Sequence, residues 1–210
     1  MNIHQKVIAI IDRSGSMLGK EDDTIGGINA SLKVLKEERE EKTSIDVSIK
    51  LFDHEEIMLI KSRDIDEITS LTNNDYKPRG QTALLDAIGN TLNWAMENKL
   101  LNPYFYTSCL VYIVTDGFEN SSKKYNSEEI KSMIDNAEKN FNIKIIYLAA
   151  NQDAILEASK YGISSGQAMN YSETNKNTEM AYRSVAKLAK RCRTNDCSSF
   201  TETERQSSQI

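Results

Sequence analysis

Residues 6–17 read KVIAIIDRSGSM, and the two halves of this stretch follow different rules. Val7 to Ile11 form a short, continuous apolar run, the pattern of a strand covered on both faces. A strand of that kind belongs to a largely parallel sheet with helices on each side. Directly after it, Asp12, Ser14 and Ser16 place oxygen donors at every second position, and Gly15 relaxes the backbone between the two hydroxyls. Alternate side chains of an extended turn point the same way. Oxygen donors with no sulfur or imidazole beside them suit a hard cation.

The rest of the chain repeats the first half of this pattern. A helical stripe of Ile25, Ile28, Leu32 and Leu35 begins near Thr24 and ends in the solvated KEEREEK. SIDVSIKLFD (44–53) alternates Ile45, Val47, Ile49 and Leu51 inward. EEIMLIKS (55–62) follows after a connection too short for a crossover, so these two strands are predicted to pair antiparallel. IDEITSL reads as a short helix and TNNDYKPRG as a loop. A helix from about Ala83 carries Leu85, Ile88, Leu92 and Ala95 on one face, with Thr82 at its cap. SCLVYIVTDG (108–117) is a second apolar run ending in an acid, Asp116.

Asn126 and Glu129 have capping-box spacing ahead of a helix that buries Ile130, Met133, Ile134, Ala137 and Phe141. IKIIYLAA (143–150) is another buried strand; a short helix from Asp153, a last strand at AMNYS and a helix carrying Ala181, Val185, Leu188 and Cys192 follow. No internal repeat is evident. The expected organisation is one α/β domain over residues 1–197 and a polar, flexible tail over 198–210. The expected architecture is a doubly wound, mostly parallel sheet with one antiparallel edge strand.

Composition narrows the function. The chain has 210 residues, 39% hydrophobic and 27% charged, with a net charge of −5. No stretch combines Lys and Arg with aromatics as a nucleic-acid surface requires. MNIHQKVIAIID has neither a signal-peptide core nor a membrane span, which gives the expectation of a soluble, cytoplasmic protein. Cys109, Cys192 and Cys197 are an odd count read as free thiols, because a zinc site needs about four ligands and His4 and His54 lie far from them in sequence.

In an open parallel sheet, ligands bind beyond the carboxyl ends of the strands where the strand order reverses. Asp12, Ser14, Ser16, Thr82 and Asp116 are all predicted to face that crevice. Together they offer what Mg²⁺ asks for, about six oxygens near ~2.1 Å with only one or two carboxylates. Taken alone, DRSGSM also reads as a capping turn. Capping does not explain why hydroxyls and acids recur at three separate loops.

These residues resemble those of von Willebrand factor A domains. DRSGSM is similar to the DxSxS motif of that family, GQTALLDAI to its threonine loop and IVTDG to its third, aspartate-bearing loop. The resemblance runs over roughly residues 4–190. With AANQDAI and the final helix, it extends to small stand-alone A-domain proteins of bacteria and phages, including those associated with tellurite resistance. It implies a Rossmann-like fold and a metal-ion-dependent adhesion site. Ser14, Ser16 and Thr82 would touch Mg²⁺ (or Mn²⁺) directly, and Asp12 and Asp116 would hold it directly or through water. It also implies a protein partner that presents Asp or Glu to the metal.

Asp86, one helical turn after Thr82, is a candidate for the metal's outer shell or an ordinary acid in a first helical turn. Arg13, Arg79, Gln81, Phe118 and Glu119 are expected to surround the metal and select the partner. The expectation is a binding module and not an enzyme. The rival is a Mg²⁺-dependent hydrolase of phosphatase type, but it would need a second carboxylate where Ser14 stands. A serine hydrolase would need a base such as His54 within reach of Ser14 or Ser16.

Overall fold

The computed structural model describes residues 3–150, 153–172, 174–194 and 199–209. The chain runs β1 (Ile3–Asp12), α1 (Glu21–Glu37), β2 (Thr43–Phe52), β3 (Glu56–Asp64), α2 (Leu84–Leu101), β4 (Ser108–Thr115), α3 (Ser127–Phe141) and β5 (Ile143–Ala150). It continues through α4 (Ala154–Lys160), β6 (Ala168–Tyr171), α5 (Asn175–Arg191) and α6 (Glu202–Ser207).

The six strands form one sheet in the order β3-β2-β1-β4-β5-β6. All neighbours are parallel except the edge pair β2 and β3, as the short connection between them predicts. From β1 the chain winds outward to β2 and later resumes at β4 on the other side. The strand order therefore reverses between β1 and β4, and a crevice opens beyond Asp12 and Thr115.

The period of two along β1 divides the core. Val7, Ala9 and Ile11 face α1 and α5, whereas Ile8 and Ile10 face α2, α3 and α4. Burying each of the valine and isoleucine side chains contributes roughly 1.5–3 kcal/mol. β3 has only intermediate and exposed positions, so the centre of the sheet carries far more of the stability than this edge. Asn126 and Glu129 form the capping box that starts α3. α1 begins earlier than its apolar stripe, because Glu21, Asp22 and Asp23 stabilise the positive end of the helix.

Three local expectations need correcting. IDEITSL forms only a single 3₁₀ turn at Ile65–Glu67, where Asp64 caps the turn and a loop follows. The thiols are not all free: Cys109 is free and buried, but Cys192 is disulfide-bonded. Disulfides persist mainly in oxidising compartments, so this bond does not argue for the cytoplasmic setting. Cys197, like Asn151 and Gln152 of the AANQDAI motif, lies outside the described residues.

The third correction concerns the segment read as a flexible tail. Over residues 199–209 it carries α6, opened by a Thr201–Glu204 capping box. Phe200 is buried, Glu204 takes a two-pronged ion pair from Arg191, and Arg205 donates to the carbonyls of Ala168, Ser165 and Gly166. Among the described residues, no helix is long and apolar enough to cross a membrane.

Two adjacent glycines in α1 test the packing between α1 and α5. A Cβ on Gly26 would meet nothing within 4 Å, whereas one on Gly27 would stand 2.5 Å from the buried Tyr182 ring. Helix propensity alone favours Ala over Gly by about 1 kcal/mol at either site. At Gly27 overpacking costs about 1–3 kcal/mol and wins. Thermal unfolding should therefore show Gly26→Ala raising Tm and Gly27→Ala lowering it; a rise in both would refute this packing.

Candidate metal centre

Three loops meet at the switch point and are sewn together by backbone hydrogen bonds. The first leaves β1 at Asp12 and passes through a 3₁₀ turn at Gly15–Met17. The second precedes α2, and the third follows β4. Gly15 N donates to Gly80 O at 3.0 Å and Arg79 N to Arg13 O at 2.7 Å, which joins the first two. Asn120 joins the second to the third: its side-chain oxygen accepts Thr82 N at 2.9 Å, and its own N donates to Thr82 O at 3.1 Å.

Inside this frame the five sequence-predicted residues converge. Asp12 has no exposed surface; its carboxylate accepts Ser14 N and the Thr115 hydroxyl, each at 2.6 Å. Ser14 Oγ and Ser16 Oγ lie 3.0 Å apart, and Ser16 Oγ donates to Asp116 Oδ1 at 2.6 Å. The remaining Asp116 oxygen accepts the Lys20 ammonium. Thr82 lies one residue ahead of the helix cap, which is Ala83 and not Thr82 itself, so its hydroxyl is not spent on capping.

Gly117 marks the centre of the cluster. A Cβ there would lie 3.2 Å from Ser16 Oγ, 3.3 Å from Thr82 Oγ1 and 3.8 Å from Asp12 Oδ2. The lack of a side chain on the third loop thus leaves a small cradle walled by oxygens of the first two. Hard oxygen donors, two carboxylates and a cation already drawn to one of them all fit a divalent metal. Desolvation by burial pushes the Asp12 carboxyl up to about 6, against the lowering effect of its Thr115 and Ser14 hydrogen bonds. A cation in the cradle would offset that buried charge.

The residues expected around this core divide sharply. Asp86 does not turn toward it: its carboxylate accepts the backbone N–H groups of Lys123, Lys124 and Tyr125 and so fixes the loop before α3. Glu119 also turns inward, accepting Leu85 N at the start of α2 together with Ser121 N and Ser122 N. Arg13 is buried against Asp53 at 3.0 Å and is not available to a partner. Gln81 and Phe118 are exposed, and so is Leu18, at 64%, at the end of the first loop's 3₁₀ turn. Arg79 stays half-exposed while donating to Asp53 at 2.9 Å.

Asp53 is the residue that sequence reasoning missed, although a signal was present: IKLFD ends in an acid just as AIID and IVTD do. It is fully buried and neutralised by Arg13 and Arg79, and its carbonyl accepts Ala83 N at 2.8 Å. Asp53, His54 and Glu55 place ligand atoms within 4.8 Å of one another, but the two guanidiniums already answer this acidic group. His54 sits 3.4 Å from Asp53 and rests over Gly80. No hydrogen bond among the described residues joins His54 to Ser14 or Ser16. Asn120 had no signal in the sequence.

No family model and no curated protein matches the chain. Solved structures do match it in fold. A von Willebrand factor type A protein from Catenulispora acidiphila superposes with TM-score 0.67 at 12% identity, covering 90% of this chain and 43% of that one. Proximal thread matrix protein 1 from the mussel byssus, in a form with a zinc-occupied MIDAS motif, gives 0.60 at 16% identity, covering 90% and 46%. The vWF domain of the type V pili tip protein Mfa5 from Porphyromonas gingivalis gives 0.58 at 11%, covering 89% and 95%. The chain spans less than half the length of the first two. It has the von Willebrand factor A fold.

The buried charge at Asp12 gives a pH prediction for the metal-free chain. A carboxyl raised from 3.8 to about 6 holds its proton longer when folded, so its contribution to stability declines as pH rises from about 4 through about 6. In EDTA, Asp12→Asn should therefore gain Tm relative to wild type at pH 8, and the gain should vanish near pH 4. A pH-independent difference in thermal melts would show that Asp12 is not charged in a desolvated site.

Proposed function

We propose that this chain is a metal-dependent protein-binding module, not an enzyme, with Asp12, Ser14, Ser16, Thr82 and Asp116 as the ligands of Mg²⁺ or Mn²⁺. The observation that carries this reading is the cradle at Gly117 of the third loop, where the Asp12 and Ser16 oxygens of the first loop and the Thr82 hydroxyl of the second come within 4 Å of one point. Oxygen-only donors favour Mg²⁺ over softer metals, even though one structure of similar fold holds zinc in its MIDAS motif. The bound ion would supply an electrophilic centre able to accept one further carboxylate oxygen. The natural source is an Asp or Glu of a partner protein. The fold also occurs in a pilus tip protein and a pilus adhesin.

In this reading the chain's own residues each have a task. Asp12 and Asp116 provide the charge, and the three hydroxyls provide neutral ligands that leave the ion electron-poor. Asn120 holds Thr82 at the right height without touching the metal. Exposed Leu18, Phe118 and Gln81 form the rim that a partner meets, since a single metal–carboxylate bond cannot distinguish partners. Ser14 occupies the place where a phosphatase-type enzyme needs its second carboxylate, and among the described residues the acceptor of the Ser16 hydroxyl is Asp116, a carboxylate this reading assigns to the metal. A serine-nucleophile reading would have to take Asp116 from the metal and make it the proton acceptor.

Calorimetric titration with Mg²⁺ and Mn²⁺ tests the ligand set. Wild type should bind saturably, Asp12→Ala should lose binding, and Thr82→Ala and Asn120→Ala should each weaken it by about tenfold or more while the fold persists by circular dichroism. Equal affinity in all four proteins would reject the site. Proteins captured from the native host should be released by EDTA and recaptured with Mg²⁺. Metal-dependent turnover of a phosphoester, abolished by Asp12→Asn, would favour the hydrolase instead.

A further inference from the structure

Lys20 was not part of the sequence motif, yet it reaches the same oxygens. It stands at the cap of α1, just after Gly19 in the left-handed region (φ 84°), and its ammonium bonds Asp116 Oδ2. Asp116 Oδ1 is held by Ser16. The Lys20 side chain is 25% exposed and that of Asp116 only 3%, so the ammonium covers the carboxylate from the solvent side.

An ammonium and a divalent ion cannot share this carboxylate comfortably, because their like charges would stand a few ångströms apart over a partly desolvated oxygen. We infer that Lys20 is a tethered competitor for the metal seat: its ammonium neutralises Asp116 in the metal-free chain and must be displaced for a divalent ion to bind. This inference rests on the proposed metal site. The tether makes the competitor's local concentration high and constant. A monovalent ion brings no charge advantage over the ammonium and is excluded, whereas a divalent ion brings twice the charge and wins. Lys20 would thus lower the affinity for Mg²⁺ while sharpening selection against Na⁺ and K⁺.

The experiment compares wild type with Lys20→Met, which keeps most of the apolar stem, and Lys20→Arg, which keeps the charge. Titrated with Mg²⁺ at fixed ionic strength, Lys20→Met should bind about tenfold or more tightly than wild type, with Lys20→Arg near wild type. Independently, acylation of the wild-type amines followed by peptide mass spectrometry should show Lys20 protected in EDTA and labelled faster with Mg²⁺. Unchanged or weaker Mg²⁺ binding by Lys20→Met, or labelling of Lys20 indifferent to Mg²⁺, would overturn the inference while leaving the metal site standing. Failure of all three proteins to bind Mg²⁺ would remove the site and this role for Lys20 together.

Discussion

A carboxylate with no exposed surface at the end of the central strand must be satisfied by its immediate surroundings, and Asp12 imposes that demand on everything near it. Ser14 N and the Thr115 hydroxyl answer part of it, one from its own loop and one from the neighbouring strand. The second of these needs β1 and β4 in parallel register, with Ile11 opposite Val114. The remaining side of the carboxylate faces the cradle beside Gly117. The topology of the sheet and the chemistry of its crevice are therefore a single constraint. Only a reversal of strand order places two strand ends side by side with no crossover helix covering them.

Around this carboxylate the three loops are fixed before any ligand arrives. Asp53 gathers Arg13 and Arg79 below the site, Asn120 grips Thr82 from both sides of its peptide, and Asp86 and Glu119 fasten the third loop to α2 through backbone N–H groups. None of these four groups offers an oxygen to the cradle. What they supply is position, the costliest quantity for a flexible loop to provide at the moment of binding.

The sequence made the sheet legible because its strands are uninterrupted apolar runs and its helices have full-length stripes, both of which survive without knowledge of neighbours. The five oxygen donors were legible for a similar reason: three lie within five consecutive residues, and the other two end or precede clear elements. Arg13 was misjudged, and the hold of Asp86, an acid of the first turn of α2, on the third loop was not foreseen, because their roles depend on partners 40 and 37 residues away, a buried acid for one and a backbone loop for the other. The segment over 199–209 was misread because α6 is too short to display a period. It is held by caps and ion pairs, which look like solvated polarity in a one-dimensional reading.

The docking of that last segment has a consequence for the sheet as a whole. A strand at the rim of a sheet exposes a row of backbone groups able to template pairing with another molecule. The outward carbonyl of Ala168 on β6 is not free to do this, because Arg205 takes it at 2.7 Å. Just beyond the strand, Ser172 N donates to Ser208 O at 3.0 Å. At the opposite rim, β3 departs from regular register at two points and lines its edge with Lys61 and Arg63. The final eleven described residues thus act as a seal against self-association, and a chain cut before them would expose a ready seed for edge-to-edge aggregation.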